Sequence, residues 1–146
     1  MSDQKDTSPK KDILGFMRKH LEEYLETDGK EGHLRNGNTC LVLNTVGRTS
    51  GEARQAALIY GEYDGSYIVV ASRGGSSRSP AWYHNMMATD SVHIQVLAKK
   101  MKVKPRVVSG DERARLWDKM AAAFPDYNDY QKRTSRQIPV VVLDPL

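Results

Sequence analysis

The sequence predicts an α+β fold, most simply a small curled antiparallel sheet or barrel of about six strands with peripheral helices. Short β-branched and aliphatic runs, separated by turn residues, fill most of the chain from about residue 39 onward. Helical periodicity is confined to the N-terminus and three later segments, without a regular alternation of strand and helix. Asp64-Gly65 also stands between two strand-like runs and is the strongest short-range hairpin signal.

The N-terminal region combines a polar tail with an amphipathic helix. Residues 1–10 contain little that could be buried and are predicted to be a disordered tail. A helix is predicted over about 12–25, with Asp12 as a suitable N-cap and apolar residues at helical spacing, namely Leu14, Met17, Leu21 and Tyr24. Docking on the protein's own core is the ordinary use of such a face, and contact with a membrane surface is the alternative.

The rest of the chain divides into strands and short helices. Strands are predicted near residues 39–46, 54–63, 66–72, 91–98, 102–109 and 138–143. Pro80 suits a first helical turn and opens PAWYHNMMA, while Ser109 leads into RARLWDKMAAAF. In this second helix the residues sharing one face are Leu116, Met120 and Ala123. A third short helix is predicted to carry DYNDYQKRTSRQ before the apolar end IPVVVL.

Length and charge limit what the chain can be. With 146 residues it is expected to form one domain over residues 11–146, long enough for a genuine core. Its net charge of +4 favours an anionic partner, and nucleic acid, acidic lipid and a phosphorylated coenzyme all meet that condition. No apolar run approaches the ~20 residues of a membrane-spanning helix. The polar N-terminus and the single cysteine, Cys40, agree with a cytoplasmic protein whose thiol is buried and unreactive.

Metal and hydrolytic sites fit the sequence poorly. The four histidines lack the paired spacing of zinc ligands, and no Gly-x-Ser-x-Gly motif is present. We expect them to be surface or core residues, and no metal site is predicted: His20, His33, His84 and His93.

Two stretches combine glycine, hydroxyl and arginine residues and could hold an anion. Residues 44–54 join two predicted strands through Gly-Arg-Thr-Ser-Gly, and residues 71–85 leave a strand and enter the helix that Pro80 opens. Each stretch alone is weak evidence, because the first is also good hairpin chemistry and Arg-Gly-Gly also occurs in RNA-binding tails. Together they carry four guanidinium groups, which match phosphate and carboxylate: Arg48, Arg54, Arg73 and Arg78.

Aromatic residues accompany these stretches. Trp82 and Tyr83 follow the second stretch directly, and Tyr127 and Tyr130 are three residues apart on one helix face. A planar ring could lie where these side chains meet. The residues alone leave two alternatives open: packing of the last helix on the sheet, and base stacking in a nucleic-acid module.

Three segments occur in a fixed order, LVLNTVGRTSGEARQAALIY, YIVVASRGGSSRSPAWYHNMMA and FPDYNDYQKRTSRQIPVVVL. In sequence and spacing they resemble the deazaflavin-dependent nitroreductase family of actinobacteria, and the similarity runs from about Cys40 to Pro145. The resemblance implies a split β-barrel. It also implies coenzyme F420, which has a deazaflavin ring, a ribityl chain, a phosphate and an oligoglutamate tail.

The resemblance further implies a set of coenzyme-binding residues. Arg48, Thr49 and Ser50 should meet the phosphate and glutamates, with Arg54 closing that end. Arg73 is implied as a further partner of the phosphate or tail, while residues 76–79 receive no role and are interpreted as a flexible rim. A strand, an opposite wall and a covering helix should surround the ring and ribityl chain, formed by Gln55, Ala56, Ala57, Leu58, Ile59, Val70, Ala71, Ser72, Arg73, Ala81, Trp82, Tyr83, His84, Asn85 and Tyr127.

The implied activity is hydride transfer from reduced F420 to a menaquinone-like quinone or a nitro compound. Because the acceptor oxygen becomes negative as the hydride arrives, Ser72, Tyr127 and Tyr130 are the predicted catalytic hydrogen-bond donors. Phe124 stands where the family often has tyrosine, so one hydroxyl near the acceptor pocket is missing.

The same reading has consequences for partners. A lipid-dissolved quinone would give the N-terminal helix a reason to contact the cytoplasmic face of a membrane. No nucleic-acid partner is expected under this reading. The alternatives are a split barrel that binds FMN or haem, and a basic nucleic-acid-binding module.

Overall fold

The computed structural model describes residues 9–146, with side chains from Gly15 onward. Its helices are α1 (Pro9–Thr27), α2 (Ala81–Met87), α3 (Gly110–Ala123) and α4 (Asp126–Lys132). Its strands are β1 (Leu34–Arg35), β2 (Asn38–Val46), β3 (Ala53–Ile59), β4 (Gly61–Tyr63), β5 (Ser66–Val70), β6 (Val92–Val96), β7 (Lys99–Val107) and β8 (Val140–Pro145). The predicted α+β class with a curled antiparallel sheet is confirmed.

The strands form one sheet in the order β1-β2-β6-β7-β8-β5-β4, and β3 pairs with β2 outside that path. Every pairing between these strands is antiparallel. Within residues 9–146, β3 is hydrogen-bonded to β2 alone, from Ala53 to Ile59. One edge of β3 is therefore left without a partner strand.

Two tight hairpins fix the register of the short strands. Asp64 and Gly65 have φ angles of 50° and 84°, so the predicted hairpin between β4 and β5 is confirmed with a type I′ turn. Asn36 and Gly37, with φ angles of 52° and 83°, form the same turn between β1 and β2. This second turn was not among the elements predicted from the sequence.

The strand predicted over residues 54–63 is two strands. The chain changes partner at Tyr60, because β3 pairs with β2 and β4 pairs with β5. Gly61 follows at the point where α3 passes closest, and a Cβ there would lie 2.6 Å from Met120 Sδ. A larger residue here would therefore have to displace the Met120 side chain.

The core lies on both faces of the sheet. On β5 and β8, Val69 and Val141 belong to a cluster that includes Met86 of α2, whereas Val70 and Val140 belong to the cluster of α3 and α4. This division follows from the alternation of side chains along a strand. On α3, Leu116 and Met120 are buried as predicted, but Ala123 is exposed and Ala121 is buried in its stead.

Helix α1 begins at Pro9, three residues before the predicted cap at Asp12, and extends two residues past the predicted end. Residues 1–8 of the predicted tail lie outside the described part of the chain. Tyr24 is fully buried against Cys40 and Val42, so this part of the helix docks on the core. No helix in residues 9–146 has the length and apolarity needed to span a bilayer.

Cys40 is buried, as predicted. Burial raises the pKa of its thiol to about 11. The thiol therefore remains protonated and unreactive near neutral pH.

Candidate active site

The first loop, residues 47–52, joins β2 to β3 and is closed by its own bonds. The N–H of Gly47 donates to the carbonyl of Glu52, and the N–H of Gly51 to the carbonyl of Gly47, each at 2.8 Å. The Ser50 hydroxyl accepts from the N–H of Glu52 at 3.2 Å. Thr49 and Ser50 remain exposed at the tip of the turn.

Arg48 connects this first loop to α2. Its N–H and its Nη1 donate to the side-chain oxygen of Asn85 at 3.1 and 2.8 Å. Asn85 is only 4% exposed whereas Arg48 is exposed, so the contact is partly buried. The structure therefore brings together the two cationic stretches that the sequence analysis singled out. Asn85, which the resemblance places over the ring, also anchors Arg48.

The second loop, residues 71–80, connects β5 to α2 and has an unusual backbone. Arg73, Gly74 and Gly75 have φ angles of 48°, 61° and 84°. A Cβ on Gly75 would lie 2.7 Å from the carbonyl oxygen of Tyr130, because the end of α4 packs directly against the loop. This glycine therefore allows a close approach between backbones.

Arg136, to which the sequence analysis gave no role, donates hydrogen bonds to the second loop from the connection between α4 and β8. Its partners include the carbonyl of Ser76 and the hydroxyl of Ser79. The interpretation of residues 76–79 as a flexible rim is therefore wrong for these two residues. The only sequence signal was an arginine without an obvious acidic neighbour, which does not identify its partner.

The predicted residues of β3 divide between its two faces. Leu58 packs in the cluster that contains Trp82 and Tyr83, whereas Ile59 packs with α1 and also with the cluster of α4. Gln55 is exposed and donates to the side-chain oxygen of Asn44 at 2.8 Å. Ala56 and Ala57, between them, are half-buried.

The predicted residues of α2 and of the strand before the second loop differ in exposure. Trp82 and Tyr83 are half-buried against the core, while Ala81 and His84 are exposed. Val70 and Ala71 are buried, and Ser72 is half-buried.

The predicted tyrosine pair forms an aromatic group at α4. The ring of Tyr127 lies 6.2 Å from that of Tyr130 and 4.9 Å from that of Phe124. Tyr127 is 5% exposed and belongs to the core, whereas Tyr130 is half-buried beside the second loop. Burial raises the pKa of both hydroxyls, and the neighbouring Tyr130 raises the pKa of Tyr127 further. Both therefore keep their protons and remain hydrogen-bond donors.

Positive charge at the two loops is incompletely neutralised. Arg54 lies 3.0 Å from Glu52, and the other salt bridges in residues 15–146 involve Arg106. Arg48, Arg73 and Arg78 have no acidic side chain within salt-bridge distance in that range. The same part of the chain contains no cluster of His, Cys, Asp and Glu that could hold a metal ion. The arrangement suits an anionic ligand.

Comparison with known proteins identifies the family. Residues 16–145 match the model of the F420H2-dependent quinone reductase family. The chain belongs to this family. It is therefore an oxidoreductase whose coenzyme is F420, and the resemblance found in the sequence is confirmed.

Individual relatives of this quinone reductase family agree. An F420H2-dependent quinone reductase of Mycobacterium tuberculosis is 40% identical over 132 residues, which cover 88% of this chain and 89% of that one. The structure of an F420H2-dependent reductase (FDR-A) matches 72% of this chain and 93% of its own, with 35% identity and a TM-score of 0.66. A domain-swapped dimer matches 94% and 100% of the two chains, with 33% identity and a TM-score of 0.69. The predicted split β-barrel is confirmed.

The residues present fit the coenzyme of this family. Arg48, Arg73 and Arg78 supply positive charge for a phosphate and a carboxylate tail. The first loop is compact, since a Cβ on Gly47 would lie 2.5 Å from Ser50 Oγ. The free edge of β3 and the half-buried aromatic residues in the clusters on its two faces supply apolar surface for a planar ring. Charge and aromatic surface thus occur together in one region.

Proposed function

We propose that the two loops, the free edge of β3 and α4 border a groove in which this chain reduces a quinone with F420H2. The double hydrogen bond between Arg48 and Asn85 is the observation that carries the proposal, because it joins the first loop to α2 at the end of the second. A single ligand can then contact both. When bound, reduced F420 supplies the hydride.

The coenzyme's anionic end is assigned to the first loop and the start of the second. Arg48, Thr49, Ser50 and Arg54 bind the phosphate and tail together with Arg73. Arg48 and Arg73 have no acidic partner in residues 15–146, while Arg54 is already paired with Glu52. The Nη1 of Arg48 already donates to Asn85, whereas the Arg73 side chain reaches only the Ser76 hydroxyl, at 3.3 Å. We therefore assign Arg73 the larger share of the electrostatic attraction.

The ring is assigned to the middle of the groove. Leu58 and Ile59 of β3 belong to the clusters that contain the aromatic residues of α2 and of α4 respectively, so we expect apolar side chains on both sides of a ring along this edge. The complete assigned set consists of Gln55, Ala56, Ala57, Leu58, Ile59, Val70, Ala71, Ser72, Ala81, Trp82, Tyr83, His84, Asn85 and Tyr127. Holding the ring and the acceptor together is the main catalytic contribution of such a site.

Three hydroxyls are assigned to the acceptor, on Ser72, Tyr127 and Tyr130. Each can donate a hydrogen bond to the oxygen that becomes negative during reduction, and a donor of this kind typically contributes ~2.7 to 4 kcal/mol. Tyr130 is half-buried and Tyr127 nearly inaccessible, which favours Tyr130 as the principal donor. Their raised pKa values suit donation of a hydrogen bond rather than release of the proton.

Nitro compounds are proposed as secondary acceptors. A nitro oxygen also gains negative charge on reduction and can accept the same hydrogen bonds. Phe124 contacts both tyrosine rings but has no hydroxyl, so the pocket offers one donor fewer than a tyrosine there would provide. We therefore expect nitroimidazoles to be reduced more slowly than menadione.

Cytoplasmic localisation with contact to the membrane surface is proposed for the same reaction. Phe16, Met17 and Leu34 are 53%, 45% and 65% exposed, and the Arg35 guanidinium lies 4.7 Å from the Phe16 ring centre. Exposed apolar residues beside cationic ones suit an anionic lipid surface, from which a quinone could enter. Replacing all three apolar residues by serine should reduce co-sedimentation with anionic vesicles, whereas Leu146→Ser should not. Equal pelleting of the two variants would reject this contact.

The main proposal is tested by separate anaerobic titrations with reduced F420, FMN and NADPH, in which binding is monitored by tryptophan fluorescence. We expect F420H2 alone to bind tightly and to be oxidised when menadione is added. Ser72→Ala and Tyr130→Phe should lower kcat about 100-fold each with the coenzyme still bound. Binding of FMN alone would contradict the proposal and favour the FMN alternative. Unchanged kcat in both variants would reject the donor assignment only.

A further inference from the structure

The side chain of Arg136 holds the second loop at both ends. Its Nη2 donates to the carbonyls of Ser72 and Ala71 at 2.8 and 3.3 Å. Its Nε donates to the carbonyl of Ser76 at 2.8 Å, and its Nη1 to the hydroxyl of Ser79 at 3.2 Å. All three guanidinium nitrogens are therefore engaged in fixing one loop.

These bonds set the direction of particular peptide groups. In a trans peptide the C=O and the N–H point in opposite directions. Because Arg136 binds the carbonyls of Ala71 and Ser72, the N–H groups of Ser72 and Arg73 point away from Arg136. Ser72 has right-handed helical angles (φ −79°, ψ −41°) and Arg73 has a φ of 48°. This succession is the one in which neighbouring N–H groups converge on an anion.

The loop conformation needs support from outside. A positive φ is unfavourable for arginine, which has a Cβ, and only surrounding contacts keep such a residue in place. The Arg73 side chain itself reaches only the Ser76 hydroxyl, at 3.3 Å, and is exposed. Arg136 fixes the peptide before this position through the Ser72 carbonyl and the loop beyond it through the Ser76 carbonyl, and Arg133 adds a longer bond to the carbonyl of Gly74 at 3.4 Å.

Arg136 also adds charge to the same place. Burial lowers the pKa of its guanidinium, and the nearby charge of Arg73 lowers it further. Neither arginine has an acidic side chain within salt-bridge distance in residues 15–146. An anion that binds next to these two like charges offsets the repulsion between them.

We propose that Arg136 is a positioning residue for the anionic part of the coenzyme. It fixes the second loop so that the N–H groups of Ser72 and Arg73 and the Arg73 side chain face the phosphate or tail, without contacting either. This inference rests on the proposed function for the identity of the ligand. The four hydrogen bonds by which Arg136 holds the second loop, called the clamp below, do not depend on that identity.

Three variants test the role in binding: Arg136→Met, Arg136→Lys and the control Arg115→Met. Arg115 is exposed on α3, so its substitution removes the same charge without touching the loop. We expect the dissociation constant of F420 to rise at least about tenfold in Arg136→Met. Arg136→Lys should recover little of this, because an ammonium group cannot span several carbonyls. The control should stay within about twofold.

A split between binding and turnover distinguishes positioning from general damage. At saturating coenzyme, kcat with menadione should fall much less in Arg136→Met than the about 100-fold expected for Ser72→Ala, because the Ser72 hydroxyl is retained and the bound coenzyme itself holds the loop. Full recovery of affinity in Arg136→Lys would show that charge alone matters and would overturn the positioning role. An unchanged dissociation constant in Arg136→Met would overturn it as well.

Limited trypsin digestion tests the clamp without any coenzyme. Cleavage after Arg73 and Arg78, followed by mass spectrometry, should become at least about tenfold faster in Arg136→Met, while cleavage after Arg54 should not. Unchanged cleavage in the second loop would refute the clamp. If cleavage is faster in Arg136→Met but the wild-type protein does not bind F420, the clamp is supported. The proposed function is then refuted, and the role of Arg136 in coenzyme binding with it.

Discussion

The two cationic loops look alike in sequence but are stabilised in different ways. The first, residues 47–52, is closed by bonds among its own residues, such as those between Gly47, Gly51 and Glu52. The second, residues 71–80, depends on Arg136 and on the end of α4 at Tyr130. Two loops of similar composition therefore differ in what holds them: the first is stabilised by its own residues, and the conformation of the second depends on distant parts of the chain.

The difference has a functional meaning. A locally closed turn keeps its shape whatever ligand is near it, and Arg48 fixes its position through one buried partner, Asn85. The second loop carries Ser72 and the strained Arg73, so it is the one whose geometry the coenzyme and acceptor depend on most. A loop supported from two distant elements is rigid only while both supports are intact.

The largest expected effect concerns the contact between the second loop and α4. Gly75→Ala should lower the free energy of unfolding by about 3 to 4 kcal/mol, because its φ is 84° and the new Cβ would lie 2.7 Å from the Tyr130 carbonyl oxygen. Gly74→Ala, at a φ of 61° with open space, should cost only about 1 to 2 kcal/mol. Urea unfolding of the two variants measures the difference, and equal losses would mean that α4 does not hold the loop.

The attachment of the first loop should be the next most sensitive. Asn85→Ala removes the acceptor of two hydrogen bonds from Arg48 and should cost about 2 kcal/mol of unfolding free energy. Asn85→Asp retains an acceptor and places a negative charge beside the guanidinium, so it should lose less. Thermal and urea unfolding compare these variants. A greater loss in Asn85→Asp would show that Arg48 is not positioned by this contact.

The loops should also differ in their electrostatic contribution to coenzyme binding. Arg73→Met should weaken F420 binding about tenfold, or about 1.4 kcal/mol, because this arginine has no acidic partner in residues 15–146. Arg54→Met should weaken it by about threefold or less, since Glu52, at 3.0 Å, already offsets its charge. Titrations at two salt concentrations measure both effects. The reverse order would give the first loop, and not Arg73, the larger share of the electrostatic attraction.

Sequence reasoning worked where the signal was local. Asp64-Gly65 specified its turn, and the spacing of Leu116 and Met120 identified the buried face of α3. The same kind of signal, Asn36-Gly37, was overlooked because it lay within a glycine-rich segment. These elements follow from backbone preferences of a few consecutive residues, and so they can be predicted without knowing the fold.

What could not be predicted depends on contacts between distant segments. Arg136 binds the carbonyls of Ser72 and Ala71, which precede it by 64 and 65 positions. An isolated arginine gives no indication of which carbonyls it will reach. The pairing of Asn85 with Arg48 is of the same kind, at a separation of 37 residues. The site's members could be named from the motifs, whereas the bonds that fix them became visible only with the fold.

The smallest expected effect uses pH to separate the supports of the two loops. Burial raises the pKa of the Tyr127 hydroxyl on α4, so below about pH 10 this group is protonated in both the folded and the unfolded state. As the pH rises above about 10, the unfolded chain loses the proton first, and the stability of the fold decreases until the folded pKa is passed. Tyr127→Phe should therefore flatten the decline in unfolding free energy between pH 9 and 11 by less than about 1 kcal/mol. Asn85→Ala removes no ionisable group and should keep the wild-type slope, so an equal slope in all three proteins would mean that Tyr127 is not shielded.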